Sequence, residues 1–205
     1  MTVSWSGESY TTKADKQGRF SIEFPTIEAG GPYEVTISDG EALTLKNVML
    51  GEVWICSGQS NMEMQMKGFK GQPVEGATDL ILTAKPTTLI RSCNLKRVKA
   101  LDPQETCPAT WYEHTPEGVN EASATAYFFA KRVYDVLGIP VGIINASWGG
   151  TPIEAWMSRE VLEKEFAGEF NLEPLQTKVW PAKNPHKVPS VLYNGMLHSL
   201  VPFTA

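Results

Sequence analysis

The sequence predicts an α/β protein, a domain built on a parallel sheet and preceded by part of an antiparallel β-sandwich. Three observations carry this expectation. Two near-continuous apolar runs, Val53–Cys56 and Val141–Ser147, each break off into a small polar or glycine-rich cluster, the pattern of strands buried on both faces and ending in turns. A helical repeat between Ala122 and Leu137 leads straight into the second run, which is half of a βαβ crossover. Residues 1–50 instead set short β-prone runs between turn residues, as antiparallel sheets do.

Within that first region, Val3–Trp5, Arg19–Phe24, Tyr33–Ser38 and Leu43–Leu50 read as strands. Ser21-Ile22-Glu23-Phe24 alternates in polarity, and Asp39-Gly40 is a hairpin signal. A self-sufficient sandwich takes about 100 residues, so this one is expected to be incomplete or completed by another segment. The organisation expected is residues 1–50 as a partial β-sandwich and 51–205 as a domain of α/β type.

The first apolar run follows Gly51 directly and is expected to be a buried strand ending at Ser57-Gly58-Gln59-Ser60-Asn61. Lys67–Ala77, rich in glycine and proline, reads as a loop at the mouth of a site. Thr88–Cys93 is the next strand; Leu101–Gly118, broken by Pro103, Pro108 and Pro116, is irregular, with Trp111-Tyr112 as a short edge strand. Ala126, Phe129, Ala130, Val133 and Leu137 recur at helical spacing, Glu121 places negative charge near the start, Gly138 is set to be the C′ residue and Pro140 prevents continuation. Ser158 can cap a helix running to about Phe166. The proline-rich stretch Gly168–Pro189 reads as a surface insertion, and Ser190–Leu200 as an amphipathic helix with Val191, Leu192, Met196, Leu197 and Leu200 on one face.

Composition narrows the function classes. With 205 residues, 42% hydrophobic and 20% charged, the chain can bury a core without disulfide staples. A net charge of -5 without a basic stripe argues against nucleic acid as a partner. No apolar run approaches the roughly 20 residues that span a bilayer, and residues 1–7 lack the features of a signal peptide; no membrane partner is expected and the compartment is left open. Cys56, Cys93 and Cys107 have no zinc-ligand spacing, so no metal site is expected, and Cys56 reads as a buried free thiol. Met62, Met64 and Met66 read as core and rim contacts.

The chemistry concentrates at the two strand ends. A serine hydroxyl attacks a carbonyl only when a base takes its proton, and the resulting oxyanion needs preorganised N–H donors. Ser60 opens an expected helix, where N–H groups are unpaired and the dipole end is positive. Gly149 or Gly150 can supply a further N–H, because only a residue without Cβ lets its backbone approach a substrate so closely. Local pattern leaves the alternatives open: Ser60 as a capping serine, and Gly149-Gly150 as a plain tight turn.

Gly58-Gln59-Ser60-Asn61 lacks a glycine two positions after the serine, so it is not the G-x-S-x-G elbow. With Met62 it resembles the first block of the SGNH hydrolases, in the form found in the sialate O-acetylesterase branch of carbohydrate esterases. Gly142–Thr151 with Ile153-Glu154-Ala155-Trp156 resembles that branch's second block, and the likeness extends from about Phe20 to Phe203. The resemblance implies a flavodoxin-like three-layer hydrolase domain with a parallel sheet, following a β-sandwich and removing O-acetyl groups from sialic acid or another sugar. By position it implies Ser60 as nucleophile, its own N–H and one of Gly149 and Gly150 as the oxyanion hole, with Gly149 favoured. Gln59 and Asn61 become turn-formers or substrate neighbours, and Trp148 a residue that could line a sugar site or serve as core packing. No cofactor is implied, since serine ester hydrolysis needs no metal.

The same resemblance exposes departures. The family's third block, Gly-Glu-Ser-Asn-like, and its late Asp-x-x-His block are absent: three positions after Asp15, Asp39, Asp79, Asp102 and Asp135 stand Gly18, Ala42, Leu82, Glu105 and Gly138. His114, His186 and His198 lack that context and read as solvated or structurally hydrogen-bonded. The expectation is a portion of an esterase that ends before its general base, nearly inactive alone and restored by a complementary C-terminal polypeptide carrying Asp and His. Two further readings stand beside it: a non-catalytic carbohydrate-binding or scaffold protein, and an unstable truncation that exposes apolar sheet edges.

Overall fold

The computed structural model describes residues 1–203. Backbone contacts divide it into two compact units, Met1–Glu52 with Gly138–Pro140, and Val53–Leu137 with Val141–Ala205.

The first unit is an antiparallel sheet in the order β2-β1-β3-β4, formed by β1 (Thr2–Trp5), β2 (Glu8–Thr11), β3 (Gly30–Ser38) and β4 (Ala42–Leu50). Asp39-Gly40 lies in the β3–β4 turn, where Ser38 faces Ala42. Strand β2 is an addition to the expected set: Ser6 and Gly7 both have positive φ, 51° and 83°, which closes a two-residue hairpin of the type whose twist matches that of the strands. Arg19–Phe24 does not join the sheet. Its alternation survives as packing: Phe24 lies 5.8 Å from Trp5 and 5.7 Å from Tyr10, centroid to centroid, and the Trp5 indole N–H donates to Pro25 O. Side-chain periodicity reported a face against aromatics there, not ladder pairing.

The second unit holds a sheet of order β5-β8-β6-β7, made of β5 (Glu52–Gly58), β6 (Ile90–Leu95), β7 (Ala109–Tyr112) and β8 (Val141–Ser147). Strands β6 and β8 are parallel, Ile90 facing Val141 and Asn94 facing Asn145, while β7 adds an antiparallel edge. The fold class is therefore α/β as expected, with a mixed sheet. Between β7 and β8 come α3 (Pro116–Glu121) and α4 (Ala124–Leu137). Part of the expected apolar stripe of α4 explains its docking: Ala126 and Ala130 pack with Ile90, Val141, Ile143 and Cys56 in one buried cluster, with Val133 against it, whereas Phe129 and Leu137 are 40% and 51% exposed. Gly138, at φ +67°, ends the helix. Thr115 caps α3 by accepting from Gly118 N at 3.1 Å, a signal present in the sequence but hidden among prolines.

Three expectations change. Strand β5 is not buried: it stands at the sheet edge, with Trp54 43% and Ile55 37% exposed and Cys56 as its one buried residue. A short apolar run carries no information on which side of a sheet its neighbours stand. The stretch 168–189 is more than a surface insertion, because α6 (Glu173–Thr177) and the turn after it bury Leu175 and Val188 against Ala155, Val191 and Leu192. The last helix, preceded by α5 (Arg159–Glu165) with its Ser158 cap, widens into a π-turn over Tyr193–Leu197. Asn194 O there accepts from Gln104 N, and its side-chain amide donates to Ala100 O. A short α1 (Ser60–Glu63) and α2 (Ala77–Leu82) complete the elements. Among the described residues no helix is long and apolar enough to cross a membrane.

Candidate active site

Strand β5 delivers Ser60 to the first position of α1. The turn is sharp because Gly58 has φ +155°. Glu63 N donates to Gln59 O at 2.8 Å and Met64 N to Ser60 O at 3.2 Å, so α1 is a single turn. Gln59, not Ser60, occupies the cap position, without a side-chain cap; the Ser60 hydroxyl has no capping role and lies exposed. One turn supplies unpaired N–H groups but little summed dipole, so the expected dipole assistance reduces to those N–H groups.

Strand β8 delivers Trp148-Gly149-Gly150-Thr151 to the same end of the sheet. Two hydrogen bonds stitch the strand ends together: Trp148 N donates to Gly58 O at 3.1 Å, and the Gln59 side-chain amide donates to Thr151 O at 3.3 Å. Thr151 stiffens its own turn by donating to Trp148 O at 2.7 Å and accepting from the Trp156 indole at 2.9 Å. A Cβ placed on Gly149 would lie 3.5 Å from Ser60 Oγ and would overlap a carboxylate oxygen of Glu63. Gly150 has open space around it and φ +73°, so its lack of a side chain serves the turn. Of the two glycines, Gly149 is the one brought against Ser60. A hydroxyl at a strand end, facing a glycine backbone with unpaired N–H groups nearby, is an arrangement that can support acyl transfer.

The profile of the family "Carbohydrate esterase, sialic acid-specific acetylesterase" matches residues 50–172, the span holding both strand ends. The chain belongs to this family of carbohydrate esterases. It is 31% identical over 191 residues to sialate O-acetylesterase of Homo sapiens, covering 87% of this chain and 35% of that protein. The Pongo abelii sialate O-acetylesterase is 32% identical over 194 residues with the same coverage. The crystal structure of a carbohydrate acetylesterase from Xanthomonas citri superposes with a TM-score of 0.82 at 32% identity, over 100% of this chain and 42% of that one. The chain thus spans about a third of the length of the curated relatives it matches.

Other candidate residues of this esterase-family chain have different surroundings. Asn61 engages through its carbonyl, which accepts from Thr125 Oγ1 at 3.1 Å. The Trp148 ring is already in contact with protein groups: His186 stacks on it at 5.3 Å and 9°, and the Arg97 guanidinium lies 5.7 Å from its centroid. Two residues near Ser60 escaped the sequence reading. Glu63, three positions on and so on the same helix face, forms an ion pair with Arg97. The helical spacing could have flagged Glu63; nothing local could have flagged Arg97, which arrives from beyond β6.

Among the described residues no hydrogen bond links a histidine to Ser60. His114 is a buried structural group: Nε2 shares a 2.8 Å hydrogen bond with the Tyr127 hydroxyl and Nδ1 faces the Lys85 backbone. Burial lowers its pKa and pushes Tyr127 up to about 12. His198 packs edge-on against Tyr193, with Nδ1 buried and unpartnered. Among the described residues no cluster of His, Cys, Asp or Glu could hold a metal ion.

Proposed function

We propose that this chain carries the nucleophile half of a carbohydrate O-acetylesterase. Ser60 Oγ attacks the acetyl carbonyl, losing its proton to a general base, while the Ser60 and Gly149 N–H groups hold the developing oxyanion. Collapse of the tetrahedral intermediate breaks the bond to the sugar oxygen, which takes the proton from the base. Water then attacks the acetyl-serine, giving acetate and free Ser60. Gln59 holds the two strand ends together, Gly150 makes the turn, and Asn61 and Trp148 border the sugar. The reading rests on one observation above all, the approach of Gly149 to Ser60 across two stitched strand ends.

With no Asp-x-x-His in the sequence, the base is proposed to come from a complementary C-terminal polypeptide carrying Asp and His. The substrate class follows the names of the relatives: an O-acetylated sialic acid or another acetylated sugar. Acetate release from acetylated sugars, measured with this chain and with Ser60→Ala, tests the assignment. The expected outcome is at most the weak residual rate that an oxyanion hole without its base can sustain, with the full effect of the substitution appearing once a C-terminal polypeptide carrying Asp and His is added. Equal, robust activity in both proteins refutes Ser60 as nucleophile.

A further inference from the structure

Glu63 poses an electrostatic problem for the site. Its carboxylate fills the space where a Cβ on Gly149 would stand, beside Ser60 Oγ, and its side chain is only 18% exposed. If an oxyanion forms between Ser60 and Gly149, a bare carboxylate there would repel it, and in a partly desolvated setting two like charges a few ångströms apart interact strongly. Arg97 answers the problem. Its guanidinium is paired with the Glu63 carboxylate and rests over the Trp148 ring, the residue directly before Gly149. The three partners come from three strand ends: Glu63 follows β5, Arg97 follows β6 and Trp148 follows β8. Chain segments distant in sequence are thus joined by one ion pair and one cation–π contact, at the point where the reacting carbonyl would sit.

We propose that Arg97 is a positioning and charge-neutralising residue of the esterase site, pairing with Glu63 so that its carboxylate can pack against Gly149 without opposing the oxyanion. The inference rests on the proposed nucleophilic role of Ser60. It goes beyond that role by assigning the Glu63–Arg97 pair a task with a definite sign. Loss of Arg97 leaves Glu63 unpaired beside the oxyanion and is harmful; loss of both charges removes the repulsion and is less harmful than loss of Arg97 alone. A pair that merely held the fold together would show this order in the unfolding midpoint, because one unpaired, partly buried charge destabilises more than the loss of both, and would leave no matching order in the rate at which the folded protein reacts at Ser60.

The experiment is the rate of Ser60 modification by a fluorophosphonate ester, followed by intact-protein mass spectrometry on the full chain. In that reaction Ser60 Oγ bonds to phosphorus, fluoride leaves, and the hydroxyl proton passes to solvent, with the phosphoryl oxygen in the place of the oxyanion. Arg97→Gln is expected to slow modification roughly tenfold, as an unpaired charge near a partly exposed site would. Glu63→Gln should cost less, and the Glu63→Gln/Arg97→Gln protein should be faster than Arg97→Gln. Raising the salt concentration should speed Arg97→Gln selectively, since screening weakens an unpaired charge more than a neutral pair. Arg97→Lys, which keeps the charge, should recover most of the rate and serves should Arg97→Gln fail to fold. If Ser60 is modified but the rates ignore these substitutions, or the double variant is the slowest, the pair has no such role and the nucleophile assignment stands. If modification persists in Ser60→Ala at the wild-type rate, the nucleophile assignment fails and the pair's role fails with it.

Discussion

Strands β5 and β8 bring the two halves of the candidate site together, but they are held very differently. Strand β8 lies between β5 and β6, with Val141, Ile143, Ile144 and Ala146 all 4% exposed or less. Strand β5 stands at the edge and buries only Cys56. Both looked alike as apolar runs. The difference is that the glycine wall of the site is set on the most buried strand of its sheet, while the serine hangs on a strand whose stability depends largely on one neighbour. Folding energy and chemistry are thereby separated: damage to β8 should unfold the unit, whereas damage at the end of β5 should reach the serine first.

The sharpest way to break this comparison is to shorten one isoleucine on each strand. Ile143→Ala removes a fully buried side chain and should cost about 2–5 kcal/mol; Ile55→Ala, at a site more than one-third exposed, should cost about 1 kcal/mol or less. Urea unfolding of both variants decides it, and equal losses would mean that β5 is as deeply anchored as β8.

At the strand ends the contrast moves from stability to reactivity. Gly149→Ala must displace Glu63 or the turn, since the added methyl overlaps the carboxylate, and a shift of this kind at the proposed oxyanion donor is expected to slow Ser60 acylation about 100-fold. Gly150→Ala meets no neighbour and suffers only its positive φ, a cost to stability of about 1 kcal/mol. Comparing acylation rate with unfolding midpoint for the two variants separates close approach from turn geometry.

A pH titration probes the packing behind the β6–β8 core. His114 is 8% exposed and contacts Tyr127 of α4, with Lys131 adding a nearby positive charge. Burial lowers its pKa from 6.5, so the folded protein keeps it neutral while the unfolded chain takes up a proton as pH falls below 6.5. The stability from His114 is therefore intact above that pH and is lost as pH falls toward the lowered folded pKa. Urea midpoints from pH 8 to pH 5 should decline, and His114→Gln should flatten the decline; an unchanged slope would show that His114 protonates equally in both states.

How much of this was legible in the sequence follows from what each residue's neighbours are. The α4 stripe, the Gly138 stop, the Ser158 cap and the Asp39-Gly40 turn are local, and local chemistry located them. The two motifs of the candidate site stood out because both end strands in the same unusual way, and the structure sets them side by side. Edge position was not, since Trp54 and Ile55 would suit a buried strand equally well and only the sheet order exposes them. Arg19–Phe24 has the alternation of a strand but not its partner. Leu175 and Val188 sit among prolines that signal loop, while their burial depends on Ala155 and Val191 elsewhere in the chain. The Glu63–Arg97 pair was hidden for the same reason, because one partner is local to Ser60 and the other is not.

The smallest expected effect tests what holds β5 on its exposed side. Trp54 meets Phe129 of α4 edge-to-face, with centroids 5.0 Å apart and planes at 80°, a favourable arrangement for two ring quadrupoles. Both rings keep about 40% of their surface in water, so less apolar area is removed than in a core pair. A double-mutant cycle of Trp54→Ala and Phe129→Ala should give a coupling of about 0.5 kcal/mol, the lower end of the range for aromatic pairs. A coupling near 1.5 kcal/mol would place a second anchor on β5, and Ile55→Ala would then be expected to understate how firmly the serine-bearing strand is held.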